Sequence, residues 1–122
     1  MNKEVVISLS NEATEVYDEL NKMVVIESNK GINGSFHQTL FRSIQRAKEL
    51  LRKDPFTGNQ VPQRLIPNKY IKKYDVNNIW RIELANRWRL IYTIRGGELE
   101  IINFIIDIFN HKDYDKVFGY KH

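Results

Sequence analysis

Two arginines, Arg81 and Arg89, are candidates for binding a phosphate group. Each lies in a segment where apolar and polar residues alternate, which is typical of a β-strand. One reaction in which a phosphate-binding arginine can act is the cleavage of RNA by its own 2′-hydroxyl. That reaction requires a base, a group that stabilises the phosphorane charge, and an acid for the leaving oxygen. Arginine suits the second role because its planar fork matches phosphate and stays charged. Alternatively, the two arginines form a surface ion-pair ladder with Glu83.

Glu83 allows three interpretations on the same strand face. It could be the base, an orienting partner for Arg89, or a strand carboxylate without a functional role. We favour the orienting partner, because a carboxylate beside two arginines is a weak proton acceptor.

His111 and Tyr114 follow the last predicted strand, and both could take part in chemistry. An imidazole can donate or accept a proton near neutral pH, but His111 could equally cap a helix or turn. Tyr114 could stack on a base or donate a hydrogen bond to phosphate. It could also pack the tail onto the sheet together with Phe118 and Tyr120.

Positive charge is concentrated in the middle of the chain. Residues 61–95 hold eight basic and two acidic residues, whereas residues 1–63 hold eight of each. Tyrosines and tryptophans are interleaved with these charges, which favours a polyanion-binding surface over a merely solvated one. The residues that we assign to RNA binding are Arg64, Lys69, Lys72, Lys73 and Arg87.

The composition excludes several kinds of site. The chain has no cysteine, which rules out disulfides, thiolate zinc sites and cysteine nucleophiles and favours the cytoplasm. Asp107, His111 and Asp115 lack the spacing of a known metal site, so we expect neither metal nor cofactor. The longest apolar stretch, 101–109, is too short to span a bilayer, and we expect no membrane association.

The first half of the chain predicts a strand and two helices. The strand covers Glu4–Leu9, and the amphipathic helices begin after Ser10 and, with a Ser-x-x-Gln capping box, after Ser35. Pro55 ends the second helix. The connection over 54–78 is long for a compact domain, so we expect it to be functional or to contain a short element.

The second half predicts three strands whose register is limited by burial. A two-residue turn would set Ile82 opposite Arg89, whereas a three-residue loop at 85–87 keeps apolar residues on one face. This register places Glu83 across from Arg89. The other predicted pairs are Leu84 with Trp88, Ile82 with Leu90 and Trp80 with Tyr92.

The last hairpin contains two consecutive glycines. A two-residue turn at 96–97 would pair Arg95 with Glu98 and add Leu99 to the core face. The side chains expected to be buried beneath the two helices are Trp80, Leu90, Tyr92 and Ile101.

This β-α-α-β-β-β order resembles the RelE/ParE superfamily of small toxins. The matching motifs are DPFTG at 54–58, IWRIEL at 79–84, WRLIYTI at 88–94 and DIFNHKDYDKVFGY at 107–120. The resemblance implies a single α+β domain over residues 1–122, with an antiparallel sheet and both N-terminal helices on one face.

The resemblance to RelE- and YoeB-like members also implies a function. Such a protein would be the toxin of a type II toxin–antitoxin system, a metal-independent endoribonuclease that cuts messenger RNA on the ribosome and is silenced by a cognate antitoxin. Arg89 matches the arginine that binds the scissile phosphate, and Arg81 matches the first of two basic strand residues. His111 and Tyr114 are similar to the C-terminal His/Tyr pair of such enzymes.

Two positions depart from the family pattern. Glu83 stands where the second basic strand residue is expected, and Gln63 stands where the YoeB branch has a catalytic glutamate. These departures leave a second hypothesis open: a non-catalytic member that acts as an RNA-binding module or as a gyrase-type protein inhibitor.

Overall fold

The computed structural model describes residues 3–119 as one sheet with helices on both faces. Two single-turn 3-10 helices, Gln63–Leu65 and Ala85–Arg87, interrupt the connections. The elements in chain order are β1 (Glu4–Leu9), α1 (Asn11–Asn29), α2 (Phe36–Lys53), β2 (Asn59–Gln60), α3 (Asn68–Tyr74), β3 (Trp80–Glu83), β4 (Arg89–Gly96), β5 (Glu100–Phe109) and α4 (His111–Phe118).

The five strands form a mixed sheet in the order β1-β5-β4-β3-β2. The α+β class and the predicted order of strands and helices are confirmed, with β2, α3 and α4 added. One correction concerns direction: β1 runs parallel to β5, whereas the other three strand pairs are antiparallel. The direction of β1 depends on how the helical hairpin returns the chain to the sheet, which strand periodicity does not encode.

Helices α1 and α2 cover one face of the sheet, as expected. Ser10 caps α1 by accepting a hydrogen bond from the backbone of Ala13 at 3.0 Å, and the capping box of Ser35 and Gln38 is present. Their apolar stripes form the first core with the sheet. Its fully buried members include Ala13, Leu40, Ile44, Leu51, Leu90, Tyr92 and Ile105.

A second core lies on the opposite face, and the alternative in which Tyr114 and Phe118 pack the tail onto the sheet is confirmed. The connection contains α3, so the expectation of a hidden element is confirmed, and the tail forms α4. Both helices pack on the sheet. The buried side chains of this second core include Tyr70, Ile79, Ile91, Ile106, Tyr114 and Phe118. Tyr120 lies outside the described residues.

The two predicted hairpin registers had different outcomes. The β3–β4 pairs are those expected, with Trp80 and Tyr92 on the same face and Glu83 opposite Arg89. The predicted β4–β5 register was wrong. The strands pair as far as Gly96 and Ile101, and Leu99 lies in the turn, 85% exposed. Residues 97–99 connect the strands in place of a two-residue turn at 96–97, so Arg95 pairs with Ile102 and not with Glu98. The N–H of Gly97 donates to the carbonyl oxygen of Glu100 at 2.8 Å and closes this longer turn. Of the side chains expected to be buried, Leu90 and Tyr92 are, whereas Trp80 and Ile101 are only half-buried.

A β-bulge on β5 decides which side chains face α3 and α4. Ile91 pairs with Asp107 and Tyr92 with Ile105, so Ile106 has no partner on β4. Ile106 and Asp107 consequently point to the same side of the sheet, Ile106 into the second core and Asp107 onto α3.

In residues 3–119, no helix is long and apolar enough to cross a membrane.

Candidate phosphate-binding site

Arg81 and Arg89 lie side by side on the sheet face that carries α4. Neighbouring strands β3 and β4 place them there, with Glu83 directly across from Arg89. Oε1 of Glu83 lies 3.1 Å from Nε of Arg89 and 3.5 Å from Nε of Arg81. One carboxylate oxygen therefore lies within ion-pair distance of both guanidinium groups, and the orienting role of Glu83 stays a prediction.

Tyr114 of α4 packs against both arginines. Its ring centroid lies 5.5 Å from Cζ of Arg81 and 5.4 Å from Cζ of Arg89, within the range of cation–π contacts. Its hydroxyl accepts a hydrogen bond from Nη1 of Arg81 at 2.8 Å. The ring is only 2% exposed and stacks on Phe118 at 4.5 Å, so it is closed to a nucleic-acid base and serves as a platform for the guanidinium groups.

Arg89 is held from a second side by the turn before it. Its Nη1 donates a hydrogen bond of 2.7 Å to the carbonyl oxygen of Arg87. Asn86 and Arg87 adopt left-handed backbone angles, with φ of 58° and 63°, and so direct that carbonyl back toward β4. With a side chain 16% exposed, Arg89 offers a small, fixed and partly desolvated positive surface, where attraction to an anion exceeds that in bulk water.

His111 is the first residue of α4 and is half-buried. Phe109, two positions earlier, pairs with Arg89, so His111 lies at the end of the sheet nearest that arginine. Asn110 provides the helix cap, since its side chain accepts a hydrogen bond from the backbone of Asp113 at 2.9 Å. The alternative role of His111 as the cap is therefore wrong.

The predicted RNA-binding residues divide into two groups. Arg87 lies in the turn beside Arg89, and Arg64 lies in the exposed 3-10 turn that begins with Gln63. The lysines belong to α3 and not to an open loop: Lys69, Lys72 and Lys73 are all exposed on it.

One of these lysines is not available as a free charge. Lys73 forms an ion pair with Glu12 of α1, and the hydroxyl of Tyr74 donates a second hydrogen bond to Glu12 at 2.9 Å. The hydrogen bond from Lys73 is the main cause that lowers the pKa of Glu12 to about 2. Lys73 thus fastens α3 to α1, a contact between residues 61 positions apart that no local pattern encodes.

A half-buried carboxylate, Asp107, was missed as a structural partner. The hydroxyl of Tyr70 donates a hydrogen bond of 2.6 Å to its Oδ2, and burial raises the pKa of Asp107 although that bond lowers it. A lone acidic residue within the apolar stretch 101–109 was the signal available in the sequence. Within residues 3–119, no three His, Asp or Glu side chains converge as metal ligands.

The fold is similar to that of a solved toxin. The YoeB/ParE toxin from Agrobacterium tumefaciens superposes with a TM-score of 0.54, at 13% identity, over 87% of this chain and 98% of that chain. No protein-family model and no curated protein matches the sequence. At this identity the similarity establishes the fold alone, and the RelE/ParE-like fold implied by the sequence motifs is confirmed.

Proposed function

We propose that the protein is the toxin of a type II toxin–antitoxin system and cleaves messenger RNA as a metal-independent endoribonuclease. The observation that carries the proposal is the pair Arg81 and Arg89, held on one sheet face by Glu83 and by the ring of Tyr114. Guanidinium groups fixed before the substrate arrives stabilise developing charge without reorganisation during the reaction. The similarity of fold to a YoeB/ParE toxin is consistent with this activity.

A few side chains would carry the catalytic roles of the proposed reaction. The 2′-hydroxyl oxygen attacks the adjacent phosphorus, the phosphorane charge is stabilised by Arg89 with Arg81, and the bond to the 5′-oxygen breaks. His111, at the nearest end of the sheet, donates the proton to that leaving oxygen. The products are a 2′,3′-cyclic phosphate and a 5′-hydroxyl. The proton of the 2′-hydroxyl needs a base. Gln63 has no basic group, and Glu83 is paired with two arginines, so neither is suited to this role. We therefore assign the base to a group of the ribosome on which the messenger RNA is bound.

The exposed basic residues indicate which partners the protein would bind. A cognate antitoxin would neutralise the toxin, and an acidic segment would complement the exposed cations Arg64, Lys69, Lys72 and Arg87. The RNA is bound through its phosphates at the same cations. We place this activity in the cytoplasm, where messenger RNA and ribosomes occur.

The test uses purified protein, translating ribosomes and messenger RNA without antitoxin. Arg89→Ala should slow cleavage about a hundredfold, which corresponds to roughly 3 kcal/mol of transition-state stabilisation. His111→Ala should slow it by roughly 10²- to 10⁴-fold, as expected for a positioned acid. Arg46→Ala, an exposed arginine of α2 on the opposite side, is the matched control and should leave the rate unchanged.

Two further readings distinguish this chemistry from other nucleases. Cleavage should persist in excess chelator, and the new 3′ end should carry a 2′,3′-cyclic phosphate. If messenger RNA stays intact with ribosomes present and antitoxin absent, the nuclease proposal is wrong.

The second candidate is a non-catalytic protein that binds RNA or inhibits a protein such as gyrase. It is favoured by Glu83, whose carboxylate offsets charge on both arginines, and by the absence of a base at Gln63. Glu83→Gln separates the two candidates. In the nuclease it should disorder Arg89 and reduce the cleavage rate, whereas in a binding protein it should strengthen RNA affinity by removing a competing anion.

A further inference from the structure

We propose that the groove between α1 and the start of α2 is a docking surface for an amphipathic helix of a partner protein, with basic residues flanking the apolar stripe of that helix. The proposal does not depend on the nuclease activity, because it rests on α1, α2 and Trp88 and not on the arginine pair.

The groove is apolar and open. Val16, Leu20 and Met23 of α1 form its floor, and Phe36 and Trp88 form its wall. Its volume of about 640 Å³ is large enough to accept several side chains of a partner. These positions recur at helical spacing along α1, so the groove runs along that helix, as required for a second helix to lie in it.

Aromatic surface at the groove is left unburied within the chain. Phe36 is 48% exposed and lies in edge contact with Trp88, at 6.3 Å between ring centroids. Exposed aromatic surface beside an open apolar groove marks interaction sites in soluble proteins.

The charges around the groove indicate the partner. Helix α1 carries five acidic residues and one basic residue, in contrast to the basic excess of residues 61–95. Two of the acidic residues, Glu15 and Glu19, are exposed at the edge of the groove, one helical turn apart. The other edge is formed by His37, which is paired with Glu27 at 3.2 Å.

This charge pattern disfavours two other occupants, nucleic acid and a second copy of the chain. Nucleic acid would be repelled by the acidic edge. A second copy related by a two-fold axis would bring the same groove surface from both protomers together, and the described residues of this surface offer no lysine or arginine as a partner for Glu15 and Glu19. A helix with lysines or arginines beside its apolar stripe satisfies both the aromatic wall and the acidic edge.

The test measures binding of designed peptides to the full chain. The probe is a helical peptide of about five turns with leucines at helical spacing and lysines on both flanks. One control peptide carries glutamates in place of the lysines, and a second has the leucine and lysine positions scrambled. Fluorescence anisotropy at physiological ionic strength should show binding at least about tenfold tighter for the lysine-flanked helix than for either control.

Variants of the chain locate the peptide. The double variant Glu15→Lys with Glu19→Lys, and separately Phe36→Ala, should each weaken binding about tenfold. Glu49→Lys, an exposed position of α2 that does not line the groove, should leave affinity within about twofold. Phe36 is half exposed and Glu15 and Glu19 are exposed, so these variants should keep the wild-type melting temperature.

Equal binding of all three peptides, absence of binding, or binding indifferent to both groove variants would overturn the proposal. Sedimentation provides a further check. If the chain forms dimers that Phe36→Ala dissociates, a second copy covers the groove and the partner helix is excluded.

Discussion

Among the glycines of residues 3–119, Gly58 is the one where an added methyl group would meet the closest atoms. It ends the DPFTG segment, and its N–H donates a hydrogen bond of 3.0 Å to the hydroxyl of Tyr92, which in turn donates to the carbonyl of Pro55 at 2.9 Å. A Cβ atom at this position would lie 2.7 Å from the carbonyl oxygen of Arg81 and 2.9 Å from the hydroxyl of Tyr92. Both separations are under 3.0 Å, so the backbone must shift.

The size of the effect follows from these contacts. Overpacking against a backbone atom costs about 1–3 kcal/mol, and loss of the hydrogen bond to Tyr92 adds about 1 kcal/mol. We therefore expect Gly58→Ala to lower the free energy of unfolding by roughly 2–4 kcal/mol and the melting temperature by about 10 °C or more. Because β2 pairs with β3 at Asn59 and Arg81, the shift should also displace Arg81, one of the two arginines that we propose to bind phosphate.

Thermal and urea unfolding followed by circular dichroism measure this loss. Gly96→Ala is the matched control, because a Cβ there would meet no atom within 4 Å. It should change the free energy of unfolding by less than about 1 kcal/mol. Equal stability of the two alanine variants would refute the packing of the DPFTG segment against β3.

Three other predictions concern charge and hydrogen bonding. Lys72→Ala should weaken RNA binding and reduce the slope of log affinity against log salt concentration by about 0.7. Lys73→Ala should have a smaller effect, because Glu12 already neutralises that lysine. Binding titrations from low to physiological salt measure both effects. Burial raises the pKa of the Asp107 carboxyl in the folded state, so the wild-type protein loses stability as the pH rises through that pKa and the carboxyl ionises. Asp107→Asn cannot ionise and should therefore be more stable than the wild type at pH 7. This advantage should disappear in acid, where the wild-type carboxyl is protonated. Denaturation series from pH 3 to 7 should show the two unfolding curves converging in acid. Tyr114→Phe should keep the ring beneath both arginines but remove the acceptor of Arg81, reducing cleavage by about tenfold with a change in stability of roughly 1 kcal/mol; an unchanged cleavage rate would show that this hydrogen bond does not position Arg81.

The parts of the fold that could be predicted are those where burial acts on consecutive residues. The β3–β4 register was predictable because a shift by one position would turn Trp80, Ile82 and Leu84 away from the helices. The same register placed Glu83 opposite Arg89, so the central contact of the candidate site was predicted with it. The caps at Ser10 and Ser35 were predictable because they depend on residues three positions apart.

The parts that could not be predicted depend on distant contacts. Seven-residue α3 and eight-residue α4 are too short for helical periodicity to be distinctive. Without α4, the sequence could not show that Tyr114 is a buried platform for the arginines. The bulge at Ile106 and the ion pair of Glu12 with Lys73 likewise join segments that are far apart in the chain.

The parallel pairing of β1 with β5 sets the order in which this domain can be assembled. The hydroxyl of Ser10, just after β1, donates a hydrogen bond to the carbonyl of Ile106, 96 positions away. The α1–α2 hairpin and the β3–β4–β5 meander consist of neighbours in sequence and can form early, but β1 can join the sheet only after β5 exists. Of the five described strands, the one that is synthesised first therefore pairs last, and the nascent chain keeps an unsatisfied strand edge until β5 has emerged from the ribosome.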